Sequence, residues 1–396
     1  MTFVAISIAA ASPSTANTII TIDEPTFLRR VAETPRSRAL AERINAARSA
    51  VGAAGVLPNP TLSYEREAVP SLDAHDDFVR LGWTIDLAGR RGLASTAARA
   101  GADAERASVQ HATIALQLDA RIAYLDAIYA REHLARLDEA RTTFATIVDS
   151  LRNRSAQGDA SSYDFDRAAL ELELLDDERA TARRELEIAR LRLGAFVGEP
   201  AAAYDAVGTL TLPAKPVDAG VPQRADLDAA RARERQAAGE LAVARRAWVP
   251  RFEVVAGLLA STTGDTRGIG YVVGIGGDIP LFDAGGAQAA KSRGEVRRWR
   301  SEVTALAVEA TAETVQATRE LVLRIEQAEV YAAGPAKRAL DLQKRAAVAY
   351  REGDRPILEL LDVQRASRHA TVHVLRLTYE ARRAELLRAR ALGRTP

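Results

Sequence analysis

Apolar and polar residues alternate through "DFVRLGWTIDLAGRR" (77–91). Val79, Leu81, Trp83, Ile85 and Leu87 fall on one side of an extended strand, and Arg80, Gly82, Thr84 and Asp86 on the other. The same period of two returns elsewhere and predicts strands over 61–69, 77–87, 251–261 and 270–281. On the third, Phe252, Val254, Ala256, Leu258 and Ala260 share a face; on the fourth, Tyr271, Val273, Ile275, Ile279 and Leu281 do. Each is about nine to eleven residues long, the length of a tilted transmembrane strand.

Between these strands the period becomes helical. Ile114, Leu118, Ile122, Leu125, Ile128 and Leu134 recur three or four apart. Two long helices are predicted, from about Gly92 to Arg154 and from Ala284 to Arg351, roughly 95 to 100 Å each at 1.5 Å per residue. Interleaved alanines let such helices approach closely. Ala333-Gly334-Pro335 is expected to kink the second, because proline lacks the helical donor and clashes with the preceding turn.

The plan occurs twice. "GVLPNPTLSYEREA" (55–68) is echoed by "RAWVPRFEVVAGLLA" (246–260), "GWTIDLAGRRG" (82–92) by "GGDIPLFDAGG" (276–286), and "AQGDASSYDFDRA" (156–168) by "REGDRPILELLDVQRA" (351–366). The chain reads as a tandem duplication: a first repeat over 17–198, a linker over 199–221 richer in Pro and Gly, and a second repeat over 222–396. Each repeat runs helix, two strands, long helical hairpin. Four such strands leave two edges of unpaired N–H and C=O groups, and in lipid each unmet group costs several kcal/mol. Closure into a barrel removes that cost, and four strands are too few, so several chains must contribute. The apolar side then faces lipid, with Val79, Leu81, Trp83, Ile85, Leu87, Val273 and Ile275 among its residues, while Arg80, Thr84 and Asp86 face a watery lumen. A small soluble sheet packed on helices is the alternative that the pattern leaves open.

Composition narrows the field. Among 396 residues, 54 Lys and Arg stand against 53 Asp and Glu, and the net charge of +1 lacks the electrostatic footprint of a nucleic-acid binder. No cysteine is present, which excludes disulfides, thiolate metal sites and cysteine nucleophiles. The segment 1–16 carries an apolar run from Phe3 to Ala11 and the small residues Ser14-Thr15-Ala16, and is read as an export signal that lacks a basic start. An unstructured tail is its other reading. No other apolar run approaches the ~18 residues a membrane helix requires.

In order, spacing and duplication these motifs resemble the TolC-type outer-membrane efflux proteins over essentially the whole chain. The residues that carry the likeness are "LPNPTLSYERE" (57–67), "DLAGRRG" (86–92), "DIPLFDAGG" (278–286) and the two Gly-Asp turns with their following helices. They are most similar to the branch that serves heavy-metal resistance-nodulation-division exporters. The resemblance implies a mainly α chain with a small β part: a long coiled-coil helical barrel plus four transmembrane strands, completed in a homotrimer as a twelve-stranded β-barrel. It also implies a periplasmic adaptor protein, an inner-membrane pump and outer-membrane lipid as partners.

The turns Gly158-Asp159 and Gly353-Asp354 are expected to form the tunnel tips and adaptor contacts, at the ends of the long helices remote from the strands. Beyond the second, Glu359 and Asp362 are three apart and near one another on a helix face. In the three-fold ring that the resemblance implies, they would attract cations, and crowding would raise some of their pKa values. The family's gate pattern is Tyr, two residues, Gly, one residue, Arg, then acids four and seven positions later. Here it reads Tyr350, Gly353, Arg355, Glu359 and Asp362, with Asp164 facing it from the first repeat. Glu359 stands where the best-known members carry aspartate. Arg355 and Tyr350 are expected to tether neighbouring helices, with Asp164 among the acceptors. Read without the resemblance, the same residues are solvated charges on helix faces.

No phosphate-cradling glycine loop, HExxH or nucleophile elbow is present, and no cofactor or resident metal is expected. His369 and His373 have a zinc-compatible spacing without a third ligand, and a structural pair is favoured; His75 reads as part of a polar loop. The expectation is the passive exit duct of a tripartite efflux system, with heavy-metal cations as cargo. Organic drugs as cargo, a soluble periplasmic coiled-coil adaptor or scaffold, and a metal-dependent enzyme using His369 and His373 remain the alternatives.

Overall fold

The computed structural model describes residues 19–69, 71, 74–158, 161–218 and 220–395. The expected export signal and Asp159 lie outside the described residues. In order, the elements are β1 (Ile20–Ile22), α1 (Glu24–Ala32), α2 (Pro35–Gly55), β2 (Thr61–Val69), β3 (Ala74–Ile85), α3 (Arg90–Ala156) and α4 (Ser162–Phe196). There follow β4 (Tyr204–Ala206), α5 (Ala225–Ala244), β5 (Arg251–Thr263), β6 (Thr266–Asp278), α6 (Gly286–Tyr331), a π-turn (Ala332–Ala336), α7 (Lys337–Glu352) and α8 (Ile357–Leu392). No described helix is long and apolar enough to cross a membrane.

Two compact units emerge, and each draws on both repeats. One takes the chain up to Arg38, Thr113–Gln223 and Thr311–Pro396; the other takes Ala39–Ala112 and Arg224–Ala310. In the first unit the apolar stripe of α3 meets four neighbours. Leu116, Ala120, Ala123, Tyr124 and Ile128 pack on Phe27 and Val31 of α1, Leu186 and Leu193 of α4, and Tyr204 of β4. Further along, Leu137, Phe144, Val148 and Leu151 pack on Leu175 of α4 and on Ile357, Leu360 and Leu361 of α8. Strands β1 and β4 pair in parallel, Ile20 with Tyr204 through Ile22 with Ala206. The Tyr124 hydroxyl lies 2.9 Å from the Ile22 carbonyl and 2.7 Å from that of Val207, at the seam. The expected 199–221 linker therefore holds a strand. Beyond β4 it is an extended strap, clipped by Arg131 to the Gly208 carbonyl, by Glu132 to the Leu210 N–H, and by Arg382 to Thr211.

In the second unit, β2, β3, β5 and β6 form one antiparallel sheet in the order β2-β3-β5-β6. A two-residue loop, Gly264-Asp265, joins Thr263 to its partner Thr266, with Gly264 at φ +56° where only glycine turns without strain. Helices α3 and α5 approach closely enough that a Cβ on Gly239 would lie 2.8 Å from the Ala97 Cβ.

Several boundaries differ from the sequence reading. Strand β3 ends at Ile85, so Leu87 is not on it. The Asp86 carboxylate captures the Arg91 N–H at 2.8 Å and Gly89 takes φ +62°, turning the chain into α3. Strand β6 spans 266–278 rather than 270–281, because Pro280 has no N–H for the ladder. The expected kink at Ala333-Gly334-Pro335 is a π-turn: the wider turn accommodates Pro335 and the helix continues into α7.

A backbone wall lies beside Gly194 in α4, where an added Cβ would meet the Ala202 carbonyl oxygen at 2.1 Å and that of Glu199 at 2.6 Å. Gly194→Ala is expected to destabilise this unit by about 1–3 kcal/mol, as overpacking against unyielding atoms does. A lowered thermal unfolding midpoint by circular dichroism would show it, and an unchanged midpoint would contradict the close approach.

Candidate functional site

The sheet of the second unit is inverted relative to a soluble protein. Cross-strand register places Leu62, Leu81, Ala256 and Val273 in one row, and Tyr64, Val79, Leu258 and Tyr271 in the next. Trp83, Val254 and Ile275 form a third row, followed by Ile85 and Phe252. This apolar face is the exposed one: Leu62 and Ile275 each show 75% of their surface, and Val79, Leu81, Trp83, Ile85 and Val273 are all exposed. Along β5 the exposed residues Val254, Ala256, Leu258 and Ala260 alternate with half-buried Val255, Gly257 and Leu259 of the opposite face. At one margin the apolar rows stop at a polar trio. Arg66 binds the Asp77 carboxylate through two nitrogens, at 2.6 and 2.8 Å, and the Tyr64 hydroxyl donates to the same group at 2.7 Å.

The opposite face is polar and rich in glycine. Arg80 pairs with Glu65 beside Phe78. The Glu253 carboxylate lies across β3 in the space left by Gly82, where a Cβ would come within 2.1 Å of Glu253 Oε1, and the Thr61 hydroxyl donates to it at 3.0 Å. Register puts Asp76, Glu65, Glu67, Glu253 and Asp278 on this face against Arg80 and Arg251. His75 has Nε2 3.9 Å from the Asp77 carboxylate.

The turn residues predicted to act as a gate belong to the first unit. Gly158 and Gly353 take φ +83° and +80°, the left-handed conformation that closes each helix, and Asp354 N–H bonds back to the Ala349 carbonyl at 2.9 Å. Among the described residues Arg355 does not bond to another helix. Its Nη1 donates to Glu359 Oε1 at 3.2 Å, one turn along. Asp362 lies 3.9 Å from Arg365, which also binds Glu171 of α4. Glu359 and Asp362 thus each have an arginine of their own helix or turn. Asp164 sits in the first turn of α4, a position favourable for a carboxylate, with no hydrogen bond or ion pair among the described residues. Tyr350 does tether another helix: Arg154 at the end of α3 donates to its hydroxyl at 3.1 Å and lies over its ring. Sequence reasoning missed Arg154, Glu171 and Arg365, since nothing in their local spacing marks them.

Ionic rungs join the helices above these turns. Arg141 binds Asp176 at 2.7 Å, Arg179 reaches back to Asp138, and Arg368 meets Glu178 at 2.6 Å. The half-buried amide Gln343 donates to Gln364 and accepts from Ser367, both at 2.7 Å, beside a cavity of about 320 Å³. The two expected histidine partners diverge in use. Arg376 donates to His373 Nδ1 at 3.1 Å and Tyr331 packs on its ring edge at 4.4 Å, while His369 is exposed. No group of three metal-ligating side chains assembles among the described residues. Burial, and then the bond to Asp126, push the Tyr379 hydroxyl above the usual tyrosine range, so it stays a donor to that carboxylate at 2.8 Å.

Residues 222–394 match the family model described as outer membrane efflux protein. Among curated protein sequences none matches the chain. Solved structures share its fold. A membrane protein from Pseudomonas aeruginosa superposes with a TM-score of 0.80 at 20% identity, over 99% of each chain. The outer-membrane channel OprN gives 0.80 at 19% identity, over 94% of this chain and 90% of its own. The outer membrane protein VceC from Vibrio cholerae gives 0.77 at 18% identity, over 93% and 96%. The chain is therefore mostly helical with a small sheet, in the fold of outer-membrane channels.

The rung at Asp176 has a pH signature. Its hydrogen bond to Arg141, joined by Arg179, holds the carboxyl below its ordinary value of 3.8. A depressed folded-state pKa gives stability that is present above the unfolded-state value and is lost as pH falls through the folded one. Asp176→Asn is expected to lower the unfolding midpoint at neutral pH, with the gap to the parent closing below about pH 4. A gap independent of pH would assign the loss to packing instead.

Proposed function

We propose that this chain is the outer-membrane subunit of a tripartite efflux system, three copies closing one β-barrel around a passive exit duct. The observation that carries it is the exposed apolar face of a sheet whose outer strands β2 and β6 each have a partner on one edge only. Such a surface is stable in hydrocarbon once further strands complete the ladder. The fold shared with outer-membrane channels supports the location, and the polar, net acidic opposite face supports a water-filled lumen. A periplasmic adaptor and an inner-membrane pump of the resistance-nodulation-division type are the partners, and energy enters through the pump. Metal cations are the cargo we favour, on the resemblance of "DLAGRRG" and "DIPLFDAGG" to the heavy-metal branch and on the five acids against two arginines of the lumen face.

In this reading the turn residues form the periplasmic gate. Asp164, which accepts no hydrogen bond among the described residues, is left for a neighbouring copy, and Arg355 exchanges Glu359 for it when the gate is shut. Extraction should require detergent and yield a heat-modifiable oligomer on gels; a water-soluble monomer would exclude the duct. In planar bilayers Asp164→Ala or Arg355→Ala should raise the open-channel population about tenfold, since three equivalent links of exposed ion-pair size are lost together. Unchanged conductance would remove these residues from the gate.

A further inference from the structure

Where the strands meet the helices, a second surface stands apart from the sheet's apolar rows. Arg90 donates to the Arg246 carbonyl at 3.0 Å and also binds the Val249 carbonyl, while Arg246 returns a bond to the Ala88 carbonyl. Gly285 packs so tightly that a Cβ would meet the Ala247 Cβ at 2.3 Å. The junctions following β3 and β6 and the one preceding β5 are thereby stitched into one collar. Its apolar side chains turn outward: Leu87 is 68% exposed, Trp248 63%, Leu281 77%, and Phe282 fully. Its two acids, Asp86 and Asp283, are exposed, and each accepts a backbone N–H, from Arg91 and Gly285 respectively, both at 2.8 Å. Two arginines stay outside. Arg91 and Arg245 are exposed, and no carboxylate oxygen comes within 4.0 Å of either guanidinium among the described residues.

We infer that this collar binds the headgroups of anionic phospholipid in the membrane leaflet on the helical side of the barrel. The inference rests on the membrane reading above and names a ligand that reading does not. Leu281 and Phe282 lie just past the end of β6, and both are exposed beside the apolar rows. Aromatic rings with an apolar body and polar surroundings settle at the headgroup level, and guanidinium groups there recruit negative charge. The opposite margin differs, because Arg66 is already neutralised by Asp77. Arg267 is also exposed at that margin, so the collar is distinguished by its two arginines beside Trp248 and Phe282 and not by being the sole basic end.

The test uses the full chain with Trp83→Phe and Trp299→Phe, which leaves Trp248 as the single tryptophan, reconstituted in phosphatidylethanolamine vesicles. Brominated phosphatidylglycerol should quench Trp248 about threefold more strongly than brominated phosphatidylethanolamine at equal content, and Arg91→Gln with Arg245→Gln should abolish the difference while quenching persists. Equal quenching by both lipids, or a preference that survives the double substitution, would overturn the inference. A companion protein that keeps only Trp83 separates the two readings. If Trp83 is quenched and Trp248 is not, the collar is not at lipid; if neither is quenched, the barrel itself is not in the membrane.

Discussion

Backbone hydrogen bonding at the free edges of the sheet is the constraint on which the rest depends. Every peptide group needs a partner, and the strands at either side of β2-β3-β5-β6 offer a full row of donors and acceptors to whatever lies next. Water could satisfy them, but water cannot cover the rows from Leu62 to Val273 without a large hydrophobic cost. Lipid covers those rows and leaves the edges unmet. In the duct proposed above both demands are satisfied together when β6 of one copy meets β2 of the next around a closed ring, which makes oligomerisation and membrane insertion one event in that reading.

The helices answer a different problem. Long rods with so many charged residues cannot be held by burial alone, and the buried set is dominated by small side chains such as Ala120, Ala123, Ala168 and Ala182. Alanine brings backbones close without supplying much apolar area. Register between rods then comes from directional contacts, the rungs Arg141–Asp176, Arg179–Asp138 and Arg368–Glu178. Each is partly exposed and individually weak; two within the α3–α4 hairpin and one between α4 and α8 fix the phase of these helices more than they add stability.

The four long strands were legible because period-two alternation over nine or more residues has no helical counterpart. β1 and β4 were not, since three residues carry no period and their pairing is set by Tyr124 and Tyr204 from distant positions. Leu87 continued the alternation on paper but not in space, because a side chain, Asp86, captured the backbone and no hydropathy pattern encodes that. The turn residues Asp164, Tyr350, Arg355, Glu359 and Asp362 were grouped by a resemblance alone, and their contacts within the chain were not legible. The bond from Arg154 to Tyr350 spans 196 positions and only the folded hairpins create it. The i,i+4 pair of Arg355 and Glu359, by contrast, follows from spacing alone.

The π-turn at Ala332–Ala336 carries an implication for how this helix evolved and how it tolerates change. A single surplus residue in a helix advances every later side chain by about 100° around the axis. With the surplus absorbed in one wide turn, Gln343 and Tyr350 of α7 are delivered to the sides where Gln364 and Arg154 wait. Excising one residue inside the wide turn would remove the surplus and leave the downstream stripe facing as it does, whereas excising one elsewhere in α6 or α7 would turn it by about 100°. The bulge is in effect an angular buffer, taking up the extra residue locally so that the phase of α7 does not depend on it.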